Sequence, residues 1–317
     1  MRKRCGHIEI LLSTYNGEYY LTSFINSLLR QDYTDWSLII RDDGSTDKTK
    51  NMLMSLQSSR PDKFRVVESP LGNIGVVESY STLLRISSAD YVMMADQDDI
   101  WLPGKVRLTL DAMRRQEQKA AAGRPILVHT NLTVVDQNLR TLAPSYWAYQ
   151  GLVPSRGRRF PRMMVENVVW GCTAMLNRPL IGLLGNIPEG ADHHDWWIGL
   201  VAAALGDIVS LQEPHILWRR HGQNVSYISG IDRASLWALT DMGSAQRKLK
   251  SLFSENRQRV RLFLEVYRDK MKQKDIDAAT AFLNLPQRAP FSRRLDVVRH
   301  GLLFNSRRRN IGLLALL

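Results

Sequence analysis

The stretch YVMMADQDDIWLP, residues 91–103, begins as an apolar run and ends in three carboxylates, Asp96, Asp98 and Asp99. A short apolar run bounded by polar residues predicts a buried β-strand. Carboxylates this close raise one another's pKa and cost free energy unless a cation or hydrogen-bond donors neutralise them. The stretch therefore indicates either a divalent metal site or a solvated turn in which Asp99 caps a following helix.

Strands and helices alternate on either side of this stretch. Apolar runs predict strands at residues 7–12 and 36–41, and helical spacing of apolar residues follows at 17–30. This alternation predicts an α/β fold, with a mostly parallel, doubly wound sheet and helices on both faces. Beyond about residue 232 the pattern becomes helical and basic.

Polar residues follow three of these predicted strands. They are the segments STYN at 13–16, DDGS at 42–45 and DQDD at 96–99. Ligands of open parallel sheets bind beyond the carboxyl ends of the strands, so we expect the three segments to converge on one crevice. Taken alone, DDGS is also typical of a plain turn with a helix N-cap.

The composition is that of an ordinary globular protein. With 317 residues, 44% hydrophobic and 23% charged, the chain suits one large or two smaller domains and is not wholly disordered. Cys5 and Cys172 lie far apart with no metal-ligand spacing, which favours a reducing, cytoplasmic setting. We expect no signal peptide and no membrane-spanning helix, because no apolar stretch is long enough.

The net charge of +12 is concentrated near the end of the sequence. Residues 247–317 contain 17 Lys and Arg against 6 Asp and Glu, a balance of +11. In residues 293–317, leucines and valines recur at helical spacing among arginines, as in a helix lying on an anionic membrane. A solvated helix packed on the rest of the fold is the alternative. We expect no nucleic-acid partner, because no nucleic-acid-binding motif is present.

Four segments, in their order and spacing, resemble the family-2 inverting glycosyltransferases of the GT-A fold. They are STYNG at 13–17, RDDGSTD at 41–47, GNIG at 72–75 and ADQDDIWLPGKV at 95–106. DQDDIW, with HDWW at 194–197 and WRRHGQNVS at 218–226, is similar to the rhamnosyltransferase-type branch that builds bacterial surface polysaccharides. The resemblance covers about residues 7–227.

The resemblance implies a donor site for a nucleotide sugar, either a dTDP- or a UDP-sugar. Ser13 and Tyr15 stand where the family holds the nucleotide, and Asp43 where a carboxylate accepts the N3–H of the base. Asp96 is placed beside the ribose and the metal. Gln97 stands where many relatives have Ala or Ser, and its amide is able to bond the sugar or nucleotide.

The resemblance also implies a Mg²⁺ or Mn²⁺ cofactor. Asp98 matches the metal-binding Asp of the DxD-type motif, and the metal would bridge the two phosphates of the donor. Arg220 and His221 precede the loop GQNVS, which is expected to fold over the diphosphate, with Arg220 on the donor and His221 as a metal ligand. A structural histidine is the alternative.

Asp195 matches the general base that an inverting transfer needs to accept the proton of the acceptor hydroxyl. An N-cap of a helix is the alternative for Asp195, with Trp196 and Trp197 in the core. Trp170, Gly171 and Trp196 are expected to border the acceptor, a lipid-linked glycan or oligosaccharide.

Together these expectations describe an enzyme that transfers L-rhamnose from dTDP-rhamnose to a lipid-linked O-antigen or capsule glycan. Residues 1–230 would form the catalytic domain, with a nucleotide-sugar half at about 1–105 and an acceptor half at about 106–230. Residues 231–317 would form a basic helical extension, peripheral on the inner face of the plasma membrane. There are two alternatives: a sugar-1-phosphate nucleotidyltransferase, and a non-catalytic assembly subunit that binds nucleotide sugars. The nucleotidyltransferase is expected to have a Gly-rich loop at the place where this chain has STYNGEYY.

Overall fold

The computed structural model describes residues 6–68, 72–222 and 242–317. These residues fall into two compact units. Unit 1 has the bounds Met1–Tyr146, Val169–Ala202 and Gly206–His221, and unit 2 has the bounds Trp147–Val168, Ala203–Leu205 and Gly222–Leu317. Residues 147–168, assigned from the sequence to the acceptor half, thus belong to unit 2. The expected boundary near residue 230 lies outside the described residues and stays a prediction.

Unit 1 is built on one sheet, to which the described residues contribute nine strands in the order β3-β2-β1-β4-β8-β6-β9-β5, with β7 paired to β6. The strands are β1 (Ile8–Thr14), β2 (Trp36–Asp42), β3 (Phe64–Val67), β4 (Tyr91–Ala95), β5 (Ile100–Trp101), β6 (Ile126–Val135), β7 (Thr141–Ala143), β8 (Ala174–Asn177) and β9 (Asp207–Arg219).

The first four strands of that order are parallel and form the predicted doubly wound part. In β1, Ile8 pairs with Trp36 of β2 and with Tyr91 of β4, in a regular register. Five consecutive residues of β1 are buried, as expected for a strand covered on both faces. The remaining sheet is mixed, because β8 runs antiparallel to both β4 and β6. The predicted α/β fold with a mostly parallel sheet is confirmed.

The helices connect the strands and continue beyond them. They are α1 (Leu21–Leu29), α2 (Thr49–Ser59), α3 (Gly75–Ile86), α4 (Lys105–Lys119), α5 (Tyr146–Gln150), α6 (Pro154–Gly157), α7 (Phe160–Val165), α8 (Arg178–Leu184), α9 (His194–Leu205), α10 (Met242–Tyr267), α11 (Gln273–Asn284), α12 (Pro290–Arg299) and α13 (Arg307–Leu316). The last four confirm the predicted helical character of residues 242–317.

Unit 2 has its own apolar core. Phe160 of α7 packs on Phe263 of α10 at a ring-centroid distance of 5.2 Å, and Phe253 of α10 packs on Phe282 of α11 at 5.4 Å. In the described part of the chain, no helix combines the length and the apolar character needed to cross a membrane.

Candidate active site

The residues after β4 lie beside the end of β9, although 123 residues separate the two segments in sequence. The Nε2 atom of His221 lies 2.8 Å from Oδ2 of Asp98. Both side chains are largely buried, with 16% of Asp98 and 9% of His221 exposed. The structure thus brings together the two residues predicted to bind a metal.

An aromatic residue that the sequence analysis treated only as part of an apolar helix face supports this pair. The ring of Tyr20 stacks on the His221 imidazole at a centroid distance of 4.6 Å. Arg219 lies over the same Tyr20 ring at 4.8 Å, and its Nε donates to the backbone oxygen of Asp98 at 2.9 Å. Tyr20 and Arg219 therefore fix both members of the pair.

Arg220, predicted to bind the donor, has an exposed side chain, and its backbone N–H donates to the oxygen of Val135 at 2.8 Å. The predicted loop GQNVS lies outside the described residues from residue 223 onward.

Asp96 is surrounded by groups that disfavour its charge. Burial, followed by the charges of Asp98 and Asp195, raises the pKa of the Asp96 carboxyl to about 7. The Tyr80 hydroxyl lies 3.4 Å from Oδ1 of Asp96 and donates to the Ala95 oxygen at 2.6 Å. The ring of Tyr80 also stacks on that of His194, the residue before Asp195, at a centroid distance of 4.2 Å, so the end of β4 lies beside the start of α9.

Asp99 is not a helix cap, which corrects that alternative. Helix α4 begins at Lys105 with Gly104 as its N-cap residue, whereas Asp99 is fully buried and its Oδ1 accepts from the Arg219 backbone N–H at 3.3 Å. Burial and the charges of Asp98 and Asp96 raise the Asp99 pKa well above its usual value.

A lysine that the sequence analysis did not single out is buried behind this carboxylate. Lys105 is fully buried, and its Nζ lies 3.8 Å from the centroid of the Trp101 ring. Among the described residues, neither Lys105 Nζ nor Oδ2 of Asp99 has a hydrogen-bond partner. Burial lowers the Lys105 pKa to about 7, while the neighbouring Cys172 and Asp99 oppose that shift. The position of this lysine at the first turn of an ordinary amphipathic helix gave no sequence signal for its burial.

The loop after β1 is held by Gln97. The side-chain Oε1 of Gln97 accepts from the Tyr15 N–H at 3.1 Å, and its Nε2 donates to the Tyr15 oxygen at 2.8 Å. A Cβ at Gly17 would collide with the Gln97 amide, which explains a glycine there. Gln97 was expected to bond the sugar or nucleotide. Its amide bonds the backbone of Tyr15, whose own side chain is half exposed, so a contact of Gln97 with the donor stays a prediction.

The loops after β1 and β2 are joined by reciprocal hydrogen bonds. The N–H of Asn16 donates to Oγ of Ser45 at 2.9 Å, the N–H of Thr46 donates to Oδ1 of Asn16 at 2.9 Å, and the N–H of Gly17 donates to Oγ1 of Thr49 at 2.8 Å. Asn16 has a positive φ of 47°, which Asn tolerates better than most residues. Turn chemistry in STYNG and DDGST therefore joins the two loops, and Ser13 is half-buried near the end of β1.

Asp43 is buried in a set of donors. Its Oδ1 accepts from Arg41 at 2.5 Å and from the Ile74 N–H at 2.8 Å, and its Oδ2 accepts from the Gly75 N–H at 3.0 Å. Arg41 also donates to Oγ of Ser79 at 2.7 Å. The carboxylate has one acceptor position left on Oδ2, so binding of a base N–H by Asp43 remains a prediction.

Asp195 lies in the first turn of α9, the position at which the helix dipole favours a carboxylate. Its Oδ2 accepts from the Gly171 N–H at 3.3 Å, and its Oδ1 accepts from the Trp196 N–H at 2.6 Å. A Cβ at Gly171 would lie 2.9 Å from Nε2 of His194, so only a glycine allows this close approach. The structure thus joins Gly171, Asp195 and Trp196, which were predicted separately.

Trp170 belongs to an aromatic cluster. Its ring is half-buried and lies 5.0 Å from that of Tyr146 and 5.8 Å from that of Trp218. Trp196 is half-buried too, whereas Trp197 is fully buried in the core. Trp170 and Trp196 thus lie next in sequence to Gly171 and Asp195, and neither is fully buried.

Two sets of side chains could hold a cation. Ligand atoms of Asp96, Asp99 and Cys172 lie within 4.8 Å of one another, but Asp99 and Cys172 are fully buried and next to Lys105. Mg²⁺ and Mn²⁺ prefer oxygen ligands from accessible carboxylates, and imidazole is acceptable to transition metals. The pair Asp98 and His221, which offers a carboxylate and an imidazole and is less deeply buried, fits such a metal better than the fully buried set does.

A sequence model described as "Glycosyl transferase family 2" matches residues 9–183. The dTDP-rhamnosyl transferase RfbG of Shigella flexneri is 31% identical over 242 residues, which are 71% of this chain and 78% of that protein. The UDP-Glc:alpha-D-GlcNAc-diphosphoundecaprenol beta-1,3-glucosyltransferase WfgD of Escherichia coli is 27% identical over 150 residues. These residues are 47% of this chain and 56% of that protein. The uncharacterized glycosyltransferase alr2836 of Nostoc is 25% identical over 234 residues, 68% of this chain and 66% of that protein, so the chain spans less than two thirds of two of these relatives.

Solved structures show the same fold. The structure of S. aureus TarS 1-349 in complex with UDP-GlcNAc matches with a TM-score of 0.53 at 16% identity, over 94% of this chain and 93% of that one. The mannosyltransferase PcManGT from Pyrobaculum calidifontis in complex with GDP-Man and Mn²⁺ matches with a TM-score of 0.52 at 16% identity, over 96% and 87% of the two chains. The chain therefore has the GT-A glycosyltransferase fold.

Proposed function

This chain belongs to glycosyl transferase family 2, and from that membership we propose an inverting, metal-dependent transfer of a sugar, with L-rhamnose from dTDP-rhamnose as the leading donor, to a lipid-linked cell-surface polysaccharide acceptor. The observation that carries this proposal is the meeting of three segments at the end of β4. There Asp98 pairs with His221. Tyr80, whose hydroxyl lies 3.4 Å from Asp96, stacks on His194, the neighbour of Asp195.

The donor side would be formed by the ends of the first, second and fourth strands. Ser13, Tyr15 and Asp43 line the crevice for the nucleotide, with Asp96 beside the ribose. Complexes of two structures of this fold with UDP-GlcNAc and with GDP-Man support a nucleotide sugar as the donor class. Gln97 would act indirectly, by holding the Tyr15 backbone in place.

Asp98 and His221 would hold the metal ion. A divalent cation bound there would stabilise the negative charge that develops on the diphosphate leaving group. Tyr20 and Arg219 orient the two ligands before the donor arrives, which reduces the ordering that binding requires. Arg220, exposed at the end of β9, would add a positive charge toward the diphosphate.

Asp195 would be the general base. Its carboxylate is oriented by the N–H groups of Gly171 and Trp196, leaving lone pairs for the proton of the acceptor hydroxyl. That hydroxyl would attack the anomeric carbon from the face opposite the diphosphate and so invert its configuration. Trp170 and Trp196, both half-buried, would contact the sugar of the acceptor.

The name of one relative supports the donor and the name of another supports the acceptor. RfbG is called a dTDP-rhamnosyl transferase, and the name of WfgD specifies a GlcNAc-diphosphoundecaprenol acceptor. The rhamnose relative has the higher identity and the longer aligned region, so dTDP-rhamnose is the first donor to test.

The test is to incubate the protein with Mg²⁺ or Mn²⁺ and, in turn, dTDP-rhamnose, UDP-glucose, UDP-GlcNAc and GDP-mannose, with and without polyprenyl-diphosphate-linked saccharides. Release of nucleoside diphosphate and the anomeric configuration of the product, by NMR, are the measurements. We expect acceptor-dependent release from dTDP-rhamnose and an inverted linkage. A retained configuration, or no turnover of any donor, would contradict the proposal.

A further inference from the structure

Helix α12 presents three large apolar side chains to solvent. Phe291, Leu295 and Val298 are 77%, 57% and 55% exposed. At 100° per residue, these positions fall within an arc of roughly 60° on one face of the helix. Exposure of single apolar residues is common, but three together on one helix face form a stripe that marks an interaction surface.

The opposite face of α12 is fixed to the rest of unit 2. Val297 is fully buried, and Arg293 donates from Nε to the Leu285 oxygen at 3.0 Å and from NH2 to the Arg288 oxygen at 3.1 Å. The helix is therefore anchored through its back, and the apolar stripe is not the face by which it packs.

Arginines border the stripe on both sides. Arg294 lies about 40° beyond Val298 around the helix, and Arg299 lies about 40° beyond Leu295. Both side chains are exposed, and within the described ranges neither makes a hydrogen bond or an ion pair. Asp296 is the acid of this helix; it lies off the stripe and is paired with Arg288 at 3.0 Å.

We propose that the α12 stripe, Phe291, Leu295 and Val298 with Arg294 and Arg299, docks on an anionic membrane surface. Apolar side chains flanked by cations are the arrangement by which a helix lies in the lipid interface, with its arginines at the headgroups. The balance of +11 over residues 247–317 supplies the complementary charge. The proposal goes beyond the transfer chemistry and does not depend on Asp98 or Asp195.

The test is co-sedimentation of the full chain with vesicles of phosphatidylcholine, alone or mixed with phosphatidylglycerol. We expect binding only to the mixed vesicles, weaker at high salt. Phe291→Ser with Leu295→Ser should weaken it about tenfold or more, and each of Arg294→Gln and Arg299→Gln about fivefold.

Matched controls come from exposed positions of α10. Val266→Ser and Lys250→Gln should leave vesicle binding within about twofold, as expected for residues off the stripe. Circular dichroism of every variant verifies that it folds.

Three results would overturn the proposal. The first is equal binding to vesicles with and without phosphatidylglycerol, or none to either. The second is weakening by the arginine variants but not by Phe291→Ser with Leu295→Ser, since the stripe would then have no role. The third is a wild-type dimer that these two substitutions convert to a monomer with unchanged vesicle binding, because a second copy of the chain would then cover the stripe.

Discussion

The imidazole of His221 lies 2.8 Å from the carboxylate of Asp98, at the place where β9 ends beside the residues that follow β4. Each residue of the pair has a second contact that fixes its position: Tyr20 stacks on His221, and Arg219 donates a hydrogen bond to the backbone oxygen of Asp98. In the proposed function, this carboxylate and this imidazole would supply half of a cation site, which the diphosphate of the donor would complete.

Removal of either member of this pair should weaken metal binding. We expect Asp98→Asn and His221→Ala to raise the Mn²⁺ concentration needed for half-maximal nucleoside diphosphate release by about tenfold or more, since loss of one ligand from a small set costs at least that much. The measurement is the initial rate of release across a Mn²⁺ titration.

Asp111→Asn is the control for these variants, because Asp111 is an exposed acid on α4 with no part in the site. Its Mn²⁺ dependence should match that of the wild type. Unchanged Mn²⁺ dependence in His221→Ala would remove His221 from the proposed metal site.

Loss of the Gln97 contact with Tyr15 should weaken donor binding more than it affects folding. Gln97→Ala removes two hydrogen bonds, each with a net value of about 1 kcal/mol, so we expect KM for the donor to rise roughly three- to thirtyfold. Gly17→Ala should have a similar effect, because its Cβ displaces the same amide. The double variant should be little worse than either single variant, and Gln118→Ala, at an exposed position of α4, should have no effect. Additive losses in the double variant would mean that the two residues act separately.

The buried ion pair of Arg41 and Asp43 should matter far more to stability than an exposed pair of the same residue types. Asp43→Ala leaves the Arg41 guanidinium buried without its carboxylate, and we expect a loss of about 3 kcal/mol or more in the free energy of unfolding. Asp32→Ala, which removes the half-exposed partner of Arg107, should cost less than about 1 kcal/mol. Urea unfolding of both variants measures the difference, and equal losses would contradict the account of this pair.

Lys105 should make stability depend on pH. Its pKa in the folded protein is lowered to about 7, below the ordinary value of 10.5, so between these values the unfolded chain binds more protons and stability rises with pH. We therefore expect the free energy of unfolding of the wild type, relative to that of Lys105→Met, to rise by up to about 1.4 kcal/mol per pH unit between pH 7 and pH 9. Asp99 and Cys172 face the ammonium group and oppose the shift, so this slope is an upper value. Urea unfolding of the two proteins at both pH values measures it; a constant difference would show that Lys105 stays charged in the fold.

The part of the fold that could be predicted is the part governed by local pattern. The apolar runs that became β1, β2 and β4 are short, buried and bounded by turn residues, so their type and parallel order followed from sequence. The mixed part of the sheet could not be predicted, because the antiparallel pairing of β8 with β4 and β6 is decided by packing between segments far apart in the chain.

The site shows the same division. The proximity of Asp98 and His221 was predicted through family resemblance, while their support by Tyr20 was not, since a tyrosine in an amphipathic helix looks like any core residue. Gln97 was assigned to the ligand, but its partner is a backbone 82 residues away. The sequence also allowed Asp99 to be a cap. Its burial beside Lys105 could not be predicted, because that burial depends on tertiary contacts that no local spacing shows.

The central claim is that Asp195 is the general base. The most direct test measures the rate at which the Asp195→Asn variant releases nucleoside diphosphate at saturating donor and acceptor. If Asp195 takes the acceptor proton, kcat should fall by about 10²–10⁴-fold while the Kd of the donor stays within about threefold. Asp192→Asn, an exposed neighbour three residues earlier, should keep the wild-type rate. A kcat of Asp195→Asn close to that of the wild type would contradict the account.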